Sequence, residues 1–437
     1  MTAAGLPDPR EPFRSELSTL AAAPAEAPPV ALYVHVPFCV SHCPYCDFVV
    51  VAGKDARGPA NRIDAFVAAL EAELRLRADE LDRRWGAPSA RPALSSLYLG
   101  GGTPSLLPAG TLARLIDLVR LRFGLAADAE VTLEANPGPD ERGDARAIRD
   151  VGVTRLSIGA QSFDLGELRR LGRRHSPADI EGTVDAARRA GIHSISLDLL
   201  YDIPGQDLDT WSRTLDAALR LEPDHLSLYA LTLDDPDAEG LTGGNGDHLP
   251  LRAGTRTWRE RARPLQDDDR AAAMYELADG RLAAAGLAWY EISNWARPGH
   301  RSRHNLAYWR RRPYEAVGPG AHAFDGVTRR WNAARLDRYI EALVPVAGGG
   351  SRLPPGDSER VGGSLAAFEA AMLALRTADG ASAARLGPVA WSGIEARLNE
   401  PIAAGLLERT RGGDLALTLR GRLLSNEVFA RLLPEPG

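Results

Sequence analysis

The chain has 437 residues, of which 52 are basic and 58 are acidic, so its formal net charge at pH 7 is −6. A hydrophobic fraction of 44% is ordinary for globular proteins and predicts a large core rather than global disorder. Because proteins that bind polyanions are usually basic, the charge argues against nucleic acid as the main partner.

The first 28 residues are rich in alanine and proline and carry several acids, which predicts a flexible arm rather than a secretory signal. No apolar run approaches the length of about 18 residues that a membrane span requires. We therefore expect a cytoplasmic protein without a transmembrane segment, for which transient contact with a membrane surface stays open.

Six short apolar runs alternate along the chain with amphipathic helical stretches. The predicted strands are 31–38, 95–99, 130–135, 155–160, 193–200 and 225–232. The predicted helices are 61–84, 108–124, 141–151, 176–190, 208–221 and 267–285. Alternation of this kind, with nearly continuous apolar strands, is typical of a parallel sheet. Six repeats predict an α/β fold with an incomplete (βα)6 barrel, and a doubly wound sheet is the alternative.

The remaining segments are predicted to extend the barrel. Residues 236–266 are rich in glycine, aspartate and arginine and predict an insertion, while 289–295 predict a further strand and 344–358 a linker. A helix–helix–hairpin order near the end predicts a winged-helix-like fold. The predicted units are an arm at 1–28, a barrel core at 29–290, a connecting segment at 291–350 and the winged-helix-like unit at 358–437.

Three cysteines, Cys39, Cys43 and Cys46, follow the first predicted strand with the spacing Cys-x3-Cys-x2-Cys. Thiolates are preferred ligands of iron–sulfur clusters and of zinc. Three thiolates can hold three irons of a [4Fe–4S] cluster and leave the fourth iron open to a substrate. The alternative is a zinc site completed by His35 or His42, but structural zinc sites usually use two ligand pairs further apart in sequence.

Polar or glycine-rich motifs stand at the ends of the other predicted strands, and in a barrel all these ends converge on one face. The motif at 33–48, YVHVPFCVSHCPYCDF, resembles the signature of the radical S-adenosylmethionine (SAM) family. Further motifs are similar to its heme chaperone (HemW) branch, which is related to oxygen-independent coproporphyrinogen III oxidase. These motifs are YLGGGTPSLL (98–107), LEANPG (133–138), RLSIGAQSF (155–163), LGRRH (171–175), SLDLLYDIPGQ (197–206), HLSLYALT (225–232) and YEISNWARPGHRSRHNLAYW (290–309).

The resemblance implies a radical-SAM barrel with a [4Fe–4S] cluster and SAM as cofactors. Tyr45 is expected to stack on the adenine, Glu134 to accept a hydrogen bond from the ribose, and Arg173 to pair with the methionine carboxylate. A solvated helix arginine is the alternative for Arg173. The full set of implied SAM-binding residues is Tyr33, Tyr45, Gly101, Gly102, Thr103, Glu134, Gln161, Arg173 and Asp198.

The resemblance also implies heme binding by the motif His304, Asn305, Tyr308 and Trp309. Neutral imidazole is a common axial ligand of heme iron, and the two aromatic rings would flank the macrocycle. Six arginines lie within 297–312, in a stretch without acids, and heme propionates would suit them. The alternatives are a hydrogen-bonded loop histidine, core aromatics and an RNA-binding patch.

The oxidase branch carries a fourth cysteine directly after the cluster motif, where this chain has Asp47 and Phe48. The leading interpretation is therefore a chaperone that holds heme and a SAM-liganded cluster and passes heme to acceptor proteins. Oxidative decarboxylation of coproporphyrinogen III is the alternative, and a radical SAM enzyme acting on RNA is a third. Whether SAM is cleaved, and so whether the protein is an enzyme, stays open.

Overall fold

A computed structural model of the chain describes residues 25–53, 62–344, 350–410 and 412–433, so most of the predicted arm at 1–28 lies outside the described residues. The strands are β1 (Ala31–Val36), β2 (Phe38–Cys39), β3 (Val51–Ala52), β4 (Leu94–Gly101), β5 (Leu125–Ala135), β6 (Arg155–Gln161), β7 (Ser194–Tyr201), β8 (His225–Ala230), β9 (Ala288–Glu291), β10 (Asn294–Ala296), β11 (Glu315–Val317), β12 (His322–Phe324), β13 (Thr328–Asn332), β14 (Gly356–Arg360), β15 (Leu407–Arg409) and β16 (Leu415–Leu417). The helices are α1 (Arg62–Trp85), α2 (Ala109–Val119), α3 (Ala145–Asp150), α4 (Leu165–Arg170), α5 (Pro177–Ala190), α6 (Leu208–Arg220), α7 (Ala253–Ala262), α8 (Asp268–Ala284), α9 (Arg303–Trp309), α10 (Leu336–Leu343), α11 (Gly363–Leu375), α12 (Ala383–Leu386), α13 (Pro388–Arg397), α14 (Asn399–Ala403), α15 (Leu419–Leu423) and α16 (Ser425–Leu432). None of the helices in these described residues is both long and apolar enough to cross a membrane.

The core is a nine-stranded sheet with the strand order β11-β1-β4-β5-β6-β7-β8-β10-β9. All pairs from β11 to β8 are parallel, and β10 and β9 add an antiparallel edge. The six predicted strands, now β1 and β4 to β8, follow one another without the reversal that a doubly wound sheet has. Among the described strands, β11 and β9 are the two edges of the sheet and do not pair with each other. The barrel is therefore incomplete, as predicted.

Side chains alternate along the barrel strands, which corrects the expectation of nearly continuous apolar strands. In β6, Leu156 and Ile158 are buried in the main hydrophobic core, whereas Arg155 and Ser157 line the cavity inside the barrel. Strand β7 repeats this pattern and turns Asp198 toward the cavity. Because successive strand side chains point to opposite faces, each strand offers an apolar face to the helices and a polar face to the interior.

Helix α6 illustrates how the outer layer is attached to the sheet. Asp207 caps its first turn by accepting a hydrogen bond from the backbone N–H of Thr210 at 2.8 Å. Trp211, Leu215 and Ala218 recur at helical spacing and are fully buried in the main core. Since burial of a large apolar side chain contributes about 1.5–3 kcal/mol, this stripe holds the helix in place.

Two segments differ from the predicted elements. The single strand predicted at 289–295 is a hairpin of β9 and β10, in which the carboxylate of Glu291 accepts a hydrogen bond from the Ser293 N–H at 3.0 Å in the turn. The prediction of a linker at 344–358 is wrong at its C-terminal end. Residues 356–358 belong to β14, which pairs with β13. Backbone pairing needs no apolar side chains, so the sequence GDSER carried no strand signal.

The C-terminal residues form six helices, α11 to α16, around the hairpin of β15 and β16. They have a hydrophobic core of their own, which includes Leu375, Trp391 and Leu407. Four helices precede the hairpin where two were predicted, and two short helices follow it, so the winged-helix-like assignment and the unit boundaries stay predictions. Arg422 of α15 attaches this part to the barrel by donating to both carboxylate oxygens of Asp279 in α8, at 2.8 and 3.0 Å.

Candidate functional site

A cavity of about 1050 Å³ opens at the carboxyl ends of the barrel strands. The cysteine loop, the ends of β4 to β8 and the C-terminal segment around Arg422 form its walls. Most of the residues predicted from the sequence border this cavity, namely Cys39, Cys43, Cys46, Tyr45, Gly101, Gly102, Glu134, Gln161, Arg173, Asp198 and Asn305. The fold therefore brings side chains from distant parts of the sequence to one place.

The three cysteines are free thiols on the loop that leaves β1. The hydroxyl of Thr103 donates to the Cys39 sulfur at 3.5 Å, and the Arg173 guanidinium donates to the Cys43 sulfur at 3.7 Å. Burial raises the pKa of Cys39 to about 11 and raises the pKa of Cys46 as well. Half-buried thiols facing a cavity, beside a hydroxyl and a guanidinium, suit a metal cluster, because coordination removes the thiol proton.

No three His, Cys, Asp or Glu side chains among the described residues converge as the ligands of a single metal ion would. Three thiolates on one loop are a donor set that suits an iron–sulfur cluster. His35 is also engaged at both ring nitrogens, by Tyr33 at 3.0 Å and by the carbonyl oxygen of Val49 at 2.8 Å. It is therefore not free to complete a zinc site.

Arg259 of α7 contacts the backbone of the cysteine loop, and this residue was not predicted from the sequence. Its guanidinium donates to the carbonyl oxygens of Pro44, Tyr45 and Cys46 at 3.1–3.2 Å and forms an ion pair with Asp47. The side chain is almost fully buried. The predicted insertion at 236–266 thus supplies a clamp for the segment that carries the second and third cysteines.

The glycine motif at the end of β4 lets the backbone approach β1 and β2 closely. Gly101 has a φ of +109°, and a Cβ there would lie 2.4 Å from the ring of His35. A Cβ on Gly102 would lie 2.6 Å from the carbonyl oxygen of Phe38. Both positions therefore require glycine, and the peptide groups around them face the cavity with no side chain in front.

Glu134 lies at the end of β5 and is held by two donors inside the protein. The Tyr98 hydroxyl donates to one oxygen at 2.7 Å, and the Gly101 N–H donates to the other at 2.9 Å. Burial, only partly offset by these bonds, raises the pKa of Glu134 to about 7. Burial likewise raises the pKa of Asp198, which accepts a hydrogen bond from Ser157 at 3.0 Å. Both carboxyl groups are placed to accept hydrogen bonds from a polar ligand.

Arg173 is a cavity residue rather than a solvated helix arginine. It donates to Asn136 Oδ1 at 2.6 Å and to the carbonyl oxygen of Gly159 at 2.7 Å, while its buried Nε has no hydrogen-bond partner in the described part of the chain. A charged group with an unused donor at the cavity wall suits a carboxylate ligand. The side chain therefore fits the predicted contact with the methionine part of SAM.

Two of the predicted SAM-binding residues do not border the main cavity. Thr103 lies behind the cavity wall, where it accepts a hydrogen bond from Asn136 at 2.9 Å and donates to Cys39. Tyr33 lines a second, smaller cleft. Conversely, Arg155 borders the main cavity and is 3% exposed, and the strand alternation of β6 could have indicated it. Other cavity residues that we did not predict are Tyr98, Ser157, Ser227 and Arg422.

The four residues of the predicted heme motif do not share one surface. His304 is 1% exposed, and its Nδ1 and Nε2 lie 3.0 Å from the Ser96 hydroxyl and 2.7 Å from the Tyr308 hydroxyl. Burial lowers the pKa of His304 to about 3. Asn305 borders the main cavity and Tyr308 the smaller cleft, while Trp309 lies under the Arg376 guanidinium. The axial role of His304 stays a prediction, and it requires the hydrogen bond at the ligating nitrogen to break.

Four of the six arginines within 297–312 are ion-paired, which corrects the interpretation of this stretch as a free basic surface. Acids that are distant in sequence reach this stretch in space. The ion pairs are Arg301 and Arg310 with Asp379, Arg303 with Asp128, and Arg311 with Glu369. Paired guanidinium groups attract propionates or phosphates less than free ones.

Comparison with known proteins places the chain in a family. Residues 33–218 match the family model of the radical SAM superfamily. The chain is 41% identical over 411 residues to the heme chaperone HemW of Mycobacterium tuberculosis H37Rv. The aligned region covers 94% of this chain and 96% of that protein. It is 34% identical over 424 residues to the heme chaperone HemW of Escherichia coli K12, covering 93% and 99%.

The solved structure of coproporphyrinogen III oxidase (HemN) from Escherichia coli, a radical SAM enzyme, has a TM-score of 0.72 and 21% sequence identity, covering 93% of this chain and 90% of that one. The structural likeness to HemN shows the fold of the chain. The sequence relatives show the branch of the superfamily to which it belongs. The radical SAM superfamily implies a [4Fe–4S] cluster and SAM, which the cavity residues fit. The chain belongs to the heme chaperone HemW family of radical SAM proteins.

Proposed function

We propose that the chain binds heme together with a SAM-liganded [4Fe–4S] cluster and delivers the heme to acceptor proteins. The observation that carries this proposal is the 41% identity, over 94% of the chain, to a protein named a heme chaperone. The cavity supports the cofactor part, because its thiols, glycines and charged groups suit a cluster and an amino-acid-bearing nucleoside.

Cys39, Cys43 and Cys46 would hold the cluster, and the bound cofactors would supply one-electron chemistry. Arg173 would hold the carboxylate of the methionine moiety, through the guanidinium that already reaches the Cys43 sulfur. Glu134 would accept a hydrogen bond from a ribose hydroxyl in its ionised form. Among the remaining predicted SAM ligands, we propose that Tyr45, Gly101, Gly102, Gln161 and Asp198 contact SAM directly and that Tyr33 and Thr103 act from behind the wall.

The site argues for a carrier rather than a coproporphyrinogen oxidase. The position of the extra cysteine of the oxidase branch falls in Asp47-Phe48. Asp47 is tied to Arg259, and the Phe48 side chain is 68% exposed between the two cavities. Neither residue can supply a thiol. We therefore expect no decarboxylation of coproporphyrinogen.

Titration of the anaerobically reconstituted protein with hemin, with and without SAM, tests the proposal alongside a decarboxylation assay. We expect a saturable Soret band at about one heme per chain, by the logic of a single axial ligand, and no vinyl-bearing product. Product formation at an ordinary enzymatic turnover of about 1 per second would favour the oxidase activity instead. Absence of saturable heme binding would refute the proposed function.

A further inference from the structure

The deep end of the main cavity, toward the amino ends of the barrel strands, carries an arginine without a partner. Arg155 is the first residue of β6 and borders the cavity, although it is only 3% exposed. Its Nε is a buried donor with no hydrogen-bond partner in the described part of the chain, and no acid there forms an ion pair with the guanidinium. Arg155 therefore differs from Arg173 at the same cavity, which donates to two oxygens of the protein.

The acids around Arg155 are used by other donors. Glu130 and Asp198 act on its charge from a distance. The Glu130 carboxylate accepts a hydrogen bond from the Arg303 N–H at 3.0 Å, at the start of α9. Asp198 accepts one from the Ser157 hydroxyl at 3.0 Å. Neither acid closes on the guanidinium, so its donors are left for a group that enters from the cavity.

This arrangement is costly for the empty protein. A guanidinium stays charged at any physiological pH, so Arg155 cannot lower the cost of burial by losing its proton. A buried charge without a close partner destabilises the fold, and a carboxylate that reaches it forms a strong, two-pronged contact. The chemistry of Arg155 therefore points to a ligand that carries a carboxylate.

The position of Arg155 along β6 separates it from the expected contact with the methionine part of SAM. The carbonyl oxygen of Gly159 accepts a hydrogen bond from Arg173, which is proposed to hold the methionine carboxylate. A strand rises about 3.3 Å per residue, so the backbone of Arg155 lies roughly 13 Å further into the barrel than Gly159. Arg155 is thereby left for a second ligand.

The deep end of the cavity adjoins the predicted heme motif on α9. Asn305 of this motif borders the same cavity. Burial and then the charge of Arg155 lower the pKa of His304, which places the guanidinium close to that imidazole. The cavity volume of about 1050 Å³ is at the upper end for a small-molecule site, so SAM leaves room beside it. A macrocycle held at α9 could therefore extend an acid side chain into the cavity.

We propose that Arg155 binds one propionate of the heme, inside the main cavity and deeper than the SAM site. The proposal rests on the proposed heme chaperone function and keeps the heme at the motif on α9. It makes Arg155 a specificity-determining residue for macrocycles with a free carboxylate. The arginines that precede and follow the motif in sequence are poorer candidates, because four of them already pair with acids.

Titration of the reconstituted full chain with hemin and with hemin dimethyl ester tests this contact. Wild type should bind hemin roughly tenfold or more tightly than the ester, because esterification removes the carboxylate charge. Arg155→Met keeps the length of the side chain without its charge and should lose most of this preference. Arg155→Lys should keep part of it. Arg174→Met, at an exposed arginine of the same cavity, is the matched control and should retain the full preference.

The ratio of the two affinities is informative because a purely structural loss would weaken hemin and its ester alike. Circular dichroism and cluster absorbance confirm that each variant is folded and loaded. If Arg155→Met keeps the wild-type preference, or wild type itself has none, the propionate contact is overturned while the chaperone proposal stands. If Arg174→Met loses the preference instead, the propionate lies elsewhere in the cavity and the assignment is wrong. If wild type binds neither ligand saturably, the proposed function fails as well.

Discussion

The hydroxyl of Tyr308 lies 2.7 Å from Nε2 of His304 and closes that imidazole inside the barrel. Ser96 of β4 engages the other ring nitrogen at 3.0 Å, so helix α9 is fastened to the strand below it. In this arrangement the His-Asn-x-x-Tyr-Trp motif joins α9 to the barrel interior. A structural role of this kind makes the imidazole part of the stability of the fold, with a defined dependence on pH.

We expect acid to cost the wild type more stability than His304→Gln. Burial lowers the folded pKa of His304 to about 3, whereas an unfolded histidine has a pKa of about 6.5. As pH falls below 6.5 the unfolded state takes up the proton first, so stability is complete above 6.5 and is lost toward 3. The stability advantage of wild type over His304→Gln should shrink by about 2 kcal/mol between pH 7.5 and 5.0.

Urea denaturation of both proteins at the two pH values measures this difference. The contributions of the other titrating groups to the pH dependence of stability cancel, because both proteins share these groups. A constant difference between wild type and His304→Gln would contradict the buried, neutral imidazole.

Replacement of any one of Cys39, Cys43 and Cys46 by Ala should abolish stable assembly of the cluster. Wild type should contain about four irons per chain after anaerobic reconstitution, with broad visible absorption that oxygen bleaches. Iron and sulfide analysis of wild type and the three variants checks this. Stoichiometric zinc without iron uptake in wild type would restore the zinc alternative.

Arg173→Ala should weaken SAM binding while leaving iron content unchanged. Loss of hydrogen bonds to a charged group costs about 1.5–3 kcal/mol, which corresponds to roughly 10- to 150-fold in affinity. The SAM affinity of Arg173→Lys should fall between those of wild type and Arg173→Ala, since lysine keeps the charge but loses the two-pronged geometry. Calorimetric titration of reconstituted protein gives the affinities, with exposed Arg169→Ala as control. Equal SAM affinity in wild type and Arg173→Ala would exclude the carboxylate contact.

Arg259→Ala should speed loss of the cluster, because it removes the bonds that hold the carbonyl oxygens of Pro44, Tyr45 and Cys46. Arg256→Ala is a matched control on the same helix, since its partly exposed guanidinium pairs with Asp235 and Asp237. The decay of cluster absorbance after addition of an iron chelator measures the effect. Equal decay in both variants would show that the clamp does not protect the cluster.

The strand-end residues could be predicted from the sequence because a parallel barrel gathers strand ends on one face. Glu134, Gln161 and Asp198 all border the cavity for this reason. Arg155 begins β6 and is not a strand-end residue, but strand alternation could have indicated it, since it shares the inner face of β6 with Ser157 and Gln161. We missed this residue because we expected nearly continuous apolar strands, which have no polar inner face.

Contacts between distant segments could not be predicted from one sequence. Nothing in the insertion indicates that Arg259 reaches the cysteine loop more than 200 positions earlier. The same holds for the Arg310–Asp379 pair, at 2.7 Å, which turns a stretch without acids into a paired surface. Motifs therefore located the cofactor cavity, while the pairing of charges and the exposure of each histidine required the structure.

Transfer of heme from the loaded chain to an apo heme protein, in the presence of a scavenger that captures free heme, tests the central claim most directly. The account predicts that the acceptor gains its Soret band while the scavenger takes up little heme. Heme recovered entirely in the scavenger, at the rate seen for free hemin, would contradict the delivery function.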